Sequence, residues 1–228
     1  MTWPSLEPVT LSLTVALSAT ALALPPALAC AWLLERTRFR GRGLLHGLVL
    51  LPLVLPPVVT GYLLLALFSP RGTLGAALAS LGMPVAFHWL GAVLAAAVVG
   101  FPLLVMFCAE ALRSVDPGLE TMAASLGHRL PAIWWRVTLP LAWPGIVAGV
   151  CLCFARALGE FGATIVLAGH VDGETATLPL AVHAALSRPG GEDEAAALVV
   201  ASIVMGLLAV VAHRVLASRH ARRLGKSR

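Results

Sequence analysis

Charge is what this sequence has least of. Asp, Glu, Lys and Arg supply 12% of its 228 residues, where an ordinary soluble domain is about a quarter charged. Lysine occurs once, at Lys226, tyrosine once, at Tyr62, and aromatic residues make up 6%. With 59% hydrophobic residues and a mean hydropathy of +0.90, such a chain is neither a soluble globular enzyme nor a disordered tail. It is not a nucleic-acid binder either, despite a net charge of +5 and a pI near 9.7. Nucleotide chemistry is missing too: the pattern Gly-x4-Gly-Lys-Ser/Thr, whose backbone and lysine cradle phosphates, does not occur. Gly-x-Ser-x-Gly and His-Glu-x-x-His are also absent, which argues against an intramembrane hydrolase. No catalytic centre, metal or cofactor is expected.

Cysteine is sparse. Cys30, Cys108, Cys151 and Cys153 lie inside apolar runs, without the paired spacing of a metal site, and read as inert buried thiols. None of the seven histidines has the i,i+4 histidine partner of a helical metal site.

What is there is a set of long charge-free runs: Pro8–Leu34, Gly43–Pro70, Gly72–Ala109, Val137–Ala155 and Ala195–His213. A helix crossing about 30 Å of hydrocarbon needs roughly 20 mostly apolar residues. The runs predict an all-α polytopic membrane bundle with five spans, near Thr10–Leu34, Leu44–Phe68, Trp89–Leu112, Leu141–Leu167 and Ala195–Leu216. Met1–Thr10 carries Glu7 and no basic residue, unlike a secretory signal, so the first run is expected to stay as a span. Of the 16 Lys and Arg residues, all but Arg71, Arg156 and Arg188 fall in three segments. These are Glu35–Arg42, the stretch between spans three and four, and the tail over 214–228. Basic segments stay in the cytoplasm, which sets the N-terminus outside and the C-terminus inside. The outer segments are acidic, with Glu7, Asp172, Glu174, Glu192, Asp193 and Glu194.

Prolines interrupt two spans: Pro25-Pro26 in the first, and Pro52, Pro56 and Pro57 in the second. Proline removes an internal helix bond, and such breaks occur both where a span lines a cavity and where it is merely bent. The outer run Leu178–Leu186 predicts a short helix on the outer surface.

The cytoplasmic stretch from Asp116 to Pro144 is the most specific. Asp116-Pro117 suits a helix start, and a short helix over Leu119–Leu126 should stop at Gly127. Pro131 fits the first turn of a second short helix ending near Leu139. Two short helices at a corner suit docking to a soluble partner, or form an ordinary amphipathic connector.

This stretch resembles the Glu-Ala-Ala loop of ABC-transporter permeases, in which a glycine is followed at fixed spacing by Ile-x-Leu-Pro. Aligned on Gly127, the terminal positions are Val137, Leu139 and Pro140. The Glu-Ala-Ala positions fall on Thr121, Met122 and Ala123, followed by Ala124, with Glu120 one place early. Leu55–Tyr62, Phe154–Thr164 and Gly173–Pro179 further resemble the molybdate permeases, a family of type I ABC importer transmembrane domains. The Gly-Glu-Phe-Gly-Ala element at 159–163 is shared with sulfate and tungstate permeases.

The resemblance implies a single permease domain over 1–228, with a coupling loop at 116–140 carried by Glu120, Thr121, Ala123, Ala124, Gly127, Val137, Leu139 and Pro140. It implies a homodimer in the inner membrane, two copies of a separate ATPase below and an external molybdate-binding protein above. A permease for tungstate or sulfate is the near alternative. An ATP-independent secondary carrier is the distant one.

Arg156 and Glu160 are the one oppositely charged pair inside a predicted span. Spaced i,i+4, they should share a helix face, with Arg156 roughly 22 Å above Leu141 at about 1.5 Å per residue. The pair either holds an outer gate, with Arg156 free to meet an anion, or is a snorkelling arginine with its counter-charge. Thr60, Thr164, Pro56 and Pro57 complete the candidate pathway residues.

Overall fold

The computed structural model describes residues 6–171 and 173–225, with the side chains of Thr73 and of 212–225 outside the description. The side chains of the basic tail predicted over 214–228, and Asp172, therefore lie outside the described residues. The described residues are helical, with no strand among them.

Helix α1 (Glu7–Arg36) runs unbroken through Pro25 and Pro26, so the interruption predicted there does not occur. Small residues recur along one side of it: Ala16, Ala19, Ala23, Ala27 and Ala31 are all buried. In a membrane, small side chains let helices approach closely enough for dispersion contacts to accumulate, and this stripe packs on α5 (Trp89–Arg113). Helix α5 is the central element, with Ala92, Ala96, Leu104, Cys108 and Leu112 in the core.

The second predicted span is two helices, α2 (Arg42–Val54) and α3 (Pro57–Phe68), meeting at 114°. Pro56 and Pro57 offer no N–H to continue the α2 ladder, and Pro57 starts α3 in the first-turn position that proline suits. Short α4 (Thr73–Ser80) follows.

The region after α6 (Pro117–Ser125) departs from expectation. In place of a second short helix stopping at Leu139, α7 (Leu130–Ile133), a π turn (Trp134–Thr138) and α8 (Leu139–Leu158) form one 29-residue rod. Pro140 directly follows the π turn and sits in the first turn of α8, where its missing N–H costs little, and Pro144 lies inside α8 without breaking it. The rod packs antiparallel to α5. A Cβ built on Gly145 would lie 2.6 Å from Ala111 Cβ, and one on Gly149 would lie 2.7 Å from Phe107 Cβ. Only glycine allows that approach.

The fourth span also ends early. It stops at Leu158, and a separate helix α9 (Gly162–Leu167) covers its predicted end. The predicted outer helix is present as α10 (Leu178–Leu186). It is tied to the start of α1 by Leu178 N, which donates to Ser12 Oγ at 2.7 Å. The final helix, α11 (Glu192–Gly225), opens with Glu192, Asp193 and Glu194, charges that complement the positive end of its dipole.

Among the described residues, four helical units are long and apolar enough to cross a membrane: α1, α5, the α7–α8 rod and the start of α11; the bent pair α2–α3 passes the same test as a fifth. The ends sort as the charge pattern predicts. Arg36, Arg42 and Arg113 share one end with α6, while Glu7, α10 and Glu192 share the other.

Candidate functional site

Two places collect the residues singled out by sequence. The first is the cytoplasmic corner built on α6. Asp116 Oδ1 accepts from Gly118 N at 2.8 Å, capping the helix start. At its other end Gly127 takes a φ of +84°, the left-handed region where a side chain costs about 1 kcal/mol or more. Gly127 N donates to Ala124 O at 3.0 Å and His128 N to Ala123 O at 3.2 Å, the bond pair of a Schellman stop. Gly127 is therefore required by the turn; nothing lies within 4 Å of a Cβ placed on it.

The corner sorts its side chains by face. Met122 is 64% exposed and Leu126 79%, with Leu130 and Trp135 similarly open. Ala123 is buried, and Thr121 spends its hydroxyl on Pro117 O at 3.0 Å. Glu120 turns inward. Its Oε1 accepts from Arg36 Nη2 at 2.9 Å and from Thr138 Oγ1 at 2.8 Å. The same Arg36 nitrogen donates to Leu112 O at 3.0 Å. Beside it, Arg113 grips Glu35 through Nε and Nη2, at 3.1 and 2.8 Å. Neighbouring residues at the end of α1 thus hold opposite charges on α5 and α6. Val137, Leu139 and Pro140 fall in the π turn and the start of α8. A cleft of about 900 Å³ opens here, walled by Leu28, Trp32, Trp134 and Leu139, with Arg36 and Glu120 as its charged groups.

The second place is where two broken helices meet. Gly162, opening α9, stands so close to α3 that a Cβ on it would lie 2.9 Å from Pro57 Cβ. A Cβ on Gly61 would lie 2.7 Å from Ala163 O. Pro56 and Pro57 at one break thus face Glu160–Gly162 at the other. Glu160 lies in this break, not on the α8 face where sequence spacing put it. The ion pair survives the change: Arg156 Nη1 is 2.7 Å from Glu160 Oε2. The other carboxylate oxygen accepts from Ala163 N at 2.8 Å and so caps α9. Glu160 is 3% exposed, whereas the Arg156 side chain keeps 32% of its surface.

Thr60 and Thr164 are both buried on the facing helices, and Thr60 Oγ1 has no hydrogen-bond partner. The Phe161 ring rests 5.1 Å from that of His183 on α10, which links the outer helix to the junction.

Sequence reasoning brought Arg156 and Glu160 together and missed Glu35, Arg36, Arg113 and Thr138. A faint signal existed, since Glu35 is the lone acid of a segment holding four arginines. The 84-residue separation of Arg36 from Glu120 left no local trace. No cluster of three or more metal-ligating side chains occurs among the described residues.

Comparison with known proteins bears on the family and the fold. Residues 23–223 match the family model described as "Binding-protein-dependent transport system inner membrane component". The chain is 43% identical over 219 residues to the molybdenum transport system permease protein ModB of Haemophilus influenzae, covering 96% of each. It is 44% identical over 227 residues to the protein of the same name from Escherichia coli K12, covering 99% of each. Among solved structures it superposes on a chain of a bacterial alginate ABC transporter, crystallised with a periplasmic protein, with a TM-score of 0.73. Identity there is 20%, over 96% of this chain and 78% of that one, so this likeness concerns the fold. The chain belongs to the family of binding-protein-dependent transport system inner membrane components.

Proposed function

We propose that this chain is the membrane permease of an ATP-driven molybdate importer, a single domain over 1–228 working as a homodimer. The observation that carries the substrate is the 43–44% identity, over nearly the whole chain, to permeases named for molybdenum transport. The observation that carries the energy source is the α6 corner: exposed Met122 on the helix, Leu126 at its cap and Leu130 just past its glycine stop fit a soluble partner. The partners are two copies of an ATPase below and a molybdate-binding protein above.

In this reading ATP binding draws the ATPases together, carries the two α6 helices with them, and opens the pathway outward. Hydrolysis resets it. Coupling of this kind needs two states that differ in affinity for ATP and for the loaded binding protein. The junction of the two breaks, with Pro56, Pro57, Thr60, Arg156, Glu160 and Thr164, forms the constriction. Breaks serve this purpose because backbone freed from a helix is tolerated at membrane depth only inside protein or against water. Arg156, a third exposed beside buried Glu160, supplies positive charge along the route of a dianion. The loop over 116–140 does the coupling, and the tail over 214–228 stays on the cytoplasmic side.

The test is cellular molybdenum, measured by mass spectrometry in a strain lacking this chain, grown on trace molybdate with sulfate in excess. Loss of molybdenum, restored by the wild-type chain, is the expected result. Unchanged molybdenum with lost sulfate or tungstate uptake would overturn the substrate and keep the importer.

A further inference from the structure

We infer that Glu120 is an internal tie that makes α6 move with α1 and the α7–α8 rod, and that it is a positioning residue in place of an ATPase contact. The inference rests on the proposed docking of α6 to an ATPase and adds how displacement of that helix travels. Glu120 has the charge and loop position of a docking residue, yet its side chain is only 24% exposed. Its carboxylate is occupied: one oxygen accepts from both Arg36 and Thr138, at 2.9 and 2.8 Å. Charge-assisted bonds of this length are the stronger class, and a carboxylate held by two donors on two other elements cannot turn outward without releasing both.

The elements so joined are those a transport stroke has to move. Arg36 ends α1 and also holds the last turn of α5 through Leu112 O. Thr138, 2% exposed, closes the π turn of the rod whose far end carries Arg156. A π turn is a local misfit in hydrogen-bond register, frequent at functional sites, and here its last residue is pinned to α6. The remainder of α6 offers few such ties: Thr121 and Ser125 bond to their own helix, and Met122 and Leu126 face outward. The apolar face is left to grip the partner, and Glu120 passes the pull inward.

Two readouts test the tie. In the first, the purified permease has its four cysteines replaced by alanine and carries spin labels at Leu33→Cys on α1 and Ser125→Cys on α6. With labelled chain diluted into excess unlabelled chain, so that a dimer carries one labelled protomer, wild type should give one narrow distance distribution. Glu120→Gln and Arg36→Met should each at least double its width, and the charge swap Arg36→Glu with Glu120→Arg should narrow it again. In the second, the transporter is reconstituted with its ATPase and binding protein. ATP hydrolysed per molybdate imported should rise at least fivefold in Glu120→Gln and Arg36→Met while the ATPase stays bound, and fall at least threefold from those values in the swap. An unchanged distance distribution would overturn the inference. So would loss of ATPase binding in Glu120→Gln without broadening, since that outcome makes Glu120 a docking residue. If the wild-type complex shows no ATP-driven import, the proposed function fails, and the label distances still decide whether the tie exists.

Discussion

Arg36 and Glu120 stand 84 residues apart in the chain and 2.9 Å apart in the fold. The bond joins the end of the first span to the helix on which an ATPase is proposed to dock. The cytoplasmic corner is therefore a braced unit, with its apolar face open and its charges turned inward.

That division predicts separable losses. Met122→Asp and Leu126→Asp alter side chains 64% and 79% exposed, where substitutions usually change stability by no more than about 0.5 kcal/mol. The melting temperature of the purified permease should stay within about 2 °C of wild type. Co-purification of the ATPase should fall at least tenfold, as read on a size-exclusion column.

Gly127 sets a second expectation. Its φ of +84° forbids β-branched residues, while no neighbour lies within 4 Å to clash. Backbone strain alone should rank the variants. Gly127→Asn, tolerant of the left-handed region, should keep most transport. Gly127→Ala should lose about 1 kcal/mol of turn stability, and Gly127→Val should lose the most transport. Molybdate uptake by complemented cells gives the order, and equal activity of Asn and Val variants would refute the turn argument.

At the membrane junction, Glu160→Ala removes an ion pair at 2.7 Å and the acceptor for Ala163 N. Breaking a fully buried pair costs about 3–5 kcal/mol. Arg156 keeps a third of its surface, so about 2 kcal/mol is expected, or about 4–8 °C in melting temperature for a chain of this size. Glu160→Gln retains an oxygen for Ala163 N and should lose roughly half as much. Thermal unfolding in detergent measures both.

The helix breaks themselves meet through Gly61 and Gly162. A Cβ on Gly61 would press to 2.7 Å of Ala163 O, a backbone atom that has little room to yield. Overpacking of this kind costs about 1–3 kcal/mol. Gly61→Val should cut molybdate uptake at least fivefold while ATPase co-purification persists, because the corner below is untouched.

Much of the fold was legible in the chain because a bilayer makes composition decisive. Runs such as Gly72–Ala109 announced α5, and arginines at 36–42 announced which end faces inward. Capping signals were legible too: Asp116-Pro117 and Gly127 bound α6 to within a residue or two. The fate of prolines was half legible: the predicted break at Pro56-Pro57 is there, and those at Pro25-Pro26 and Pro52 are not. Pro25 and Pro26 lie inside an unbroken helix, Pro140 and Pro144 inside a continuous rod, and Pro56-Pro57 at a 114° bend. The residue type is the same in each; the tertiary setting decides whether its missing bond is absorbed. In the same way i,i+4 spacing paired Arg156 with Glu160 correctly for the wrong reason, since the helix ends between them. The Glu35–Arg113 and Arg36–Glu120 pairs were beyond local pattern altogether.

The central claim is that ATP drives molybdate through this chain. The direct measurement is uptake of labelled molybdate into proteoliposomes, with and without the ATPase, the binding protein and ATP, and with a proton or sodium gradient as the rival energy source. The account predicts uptake only when all three components are present, indifferent to either gradient. Gradient-driven uptake by the permease alone would contradict it and make this chain a secondary carrier.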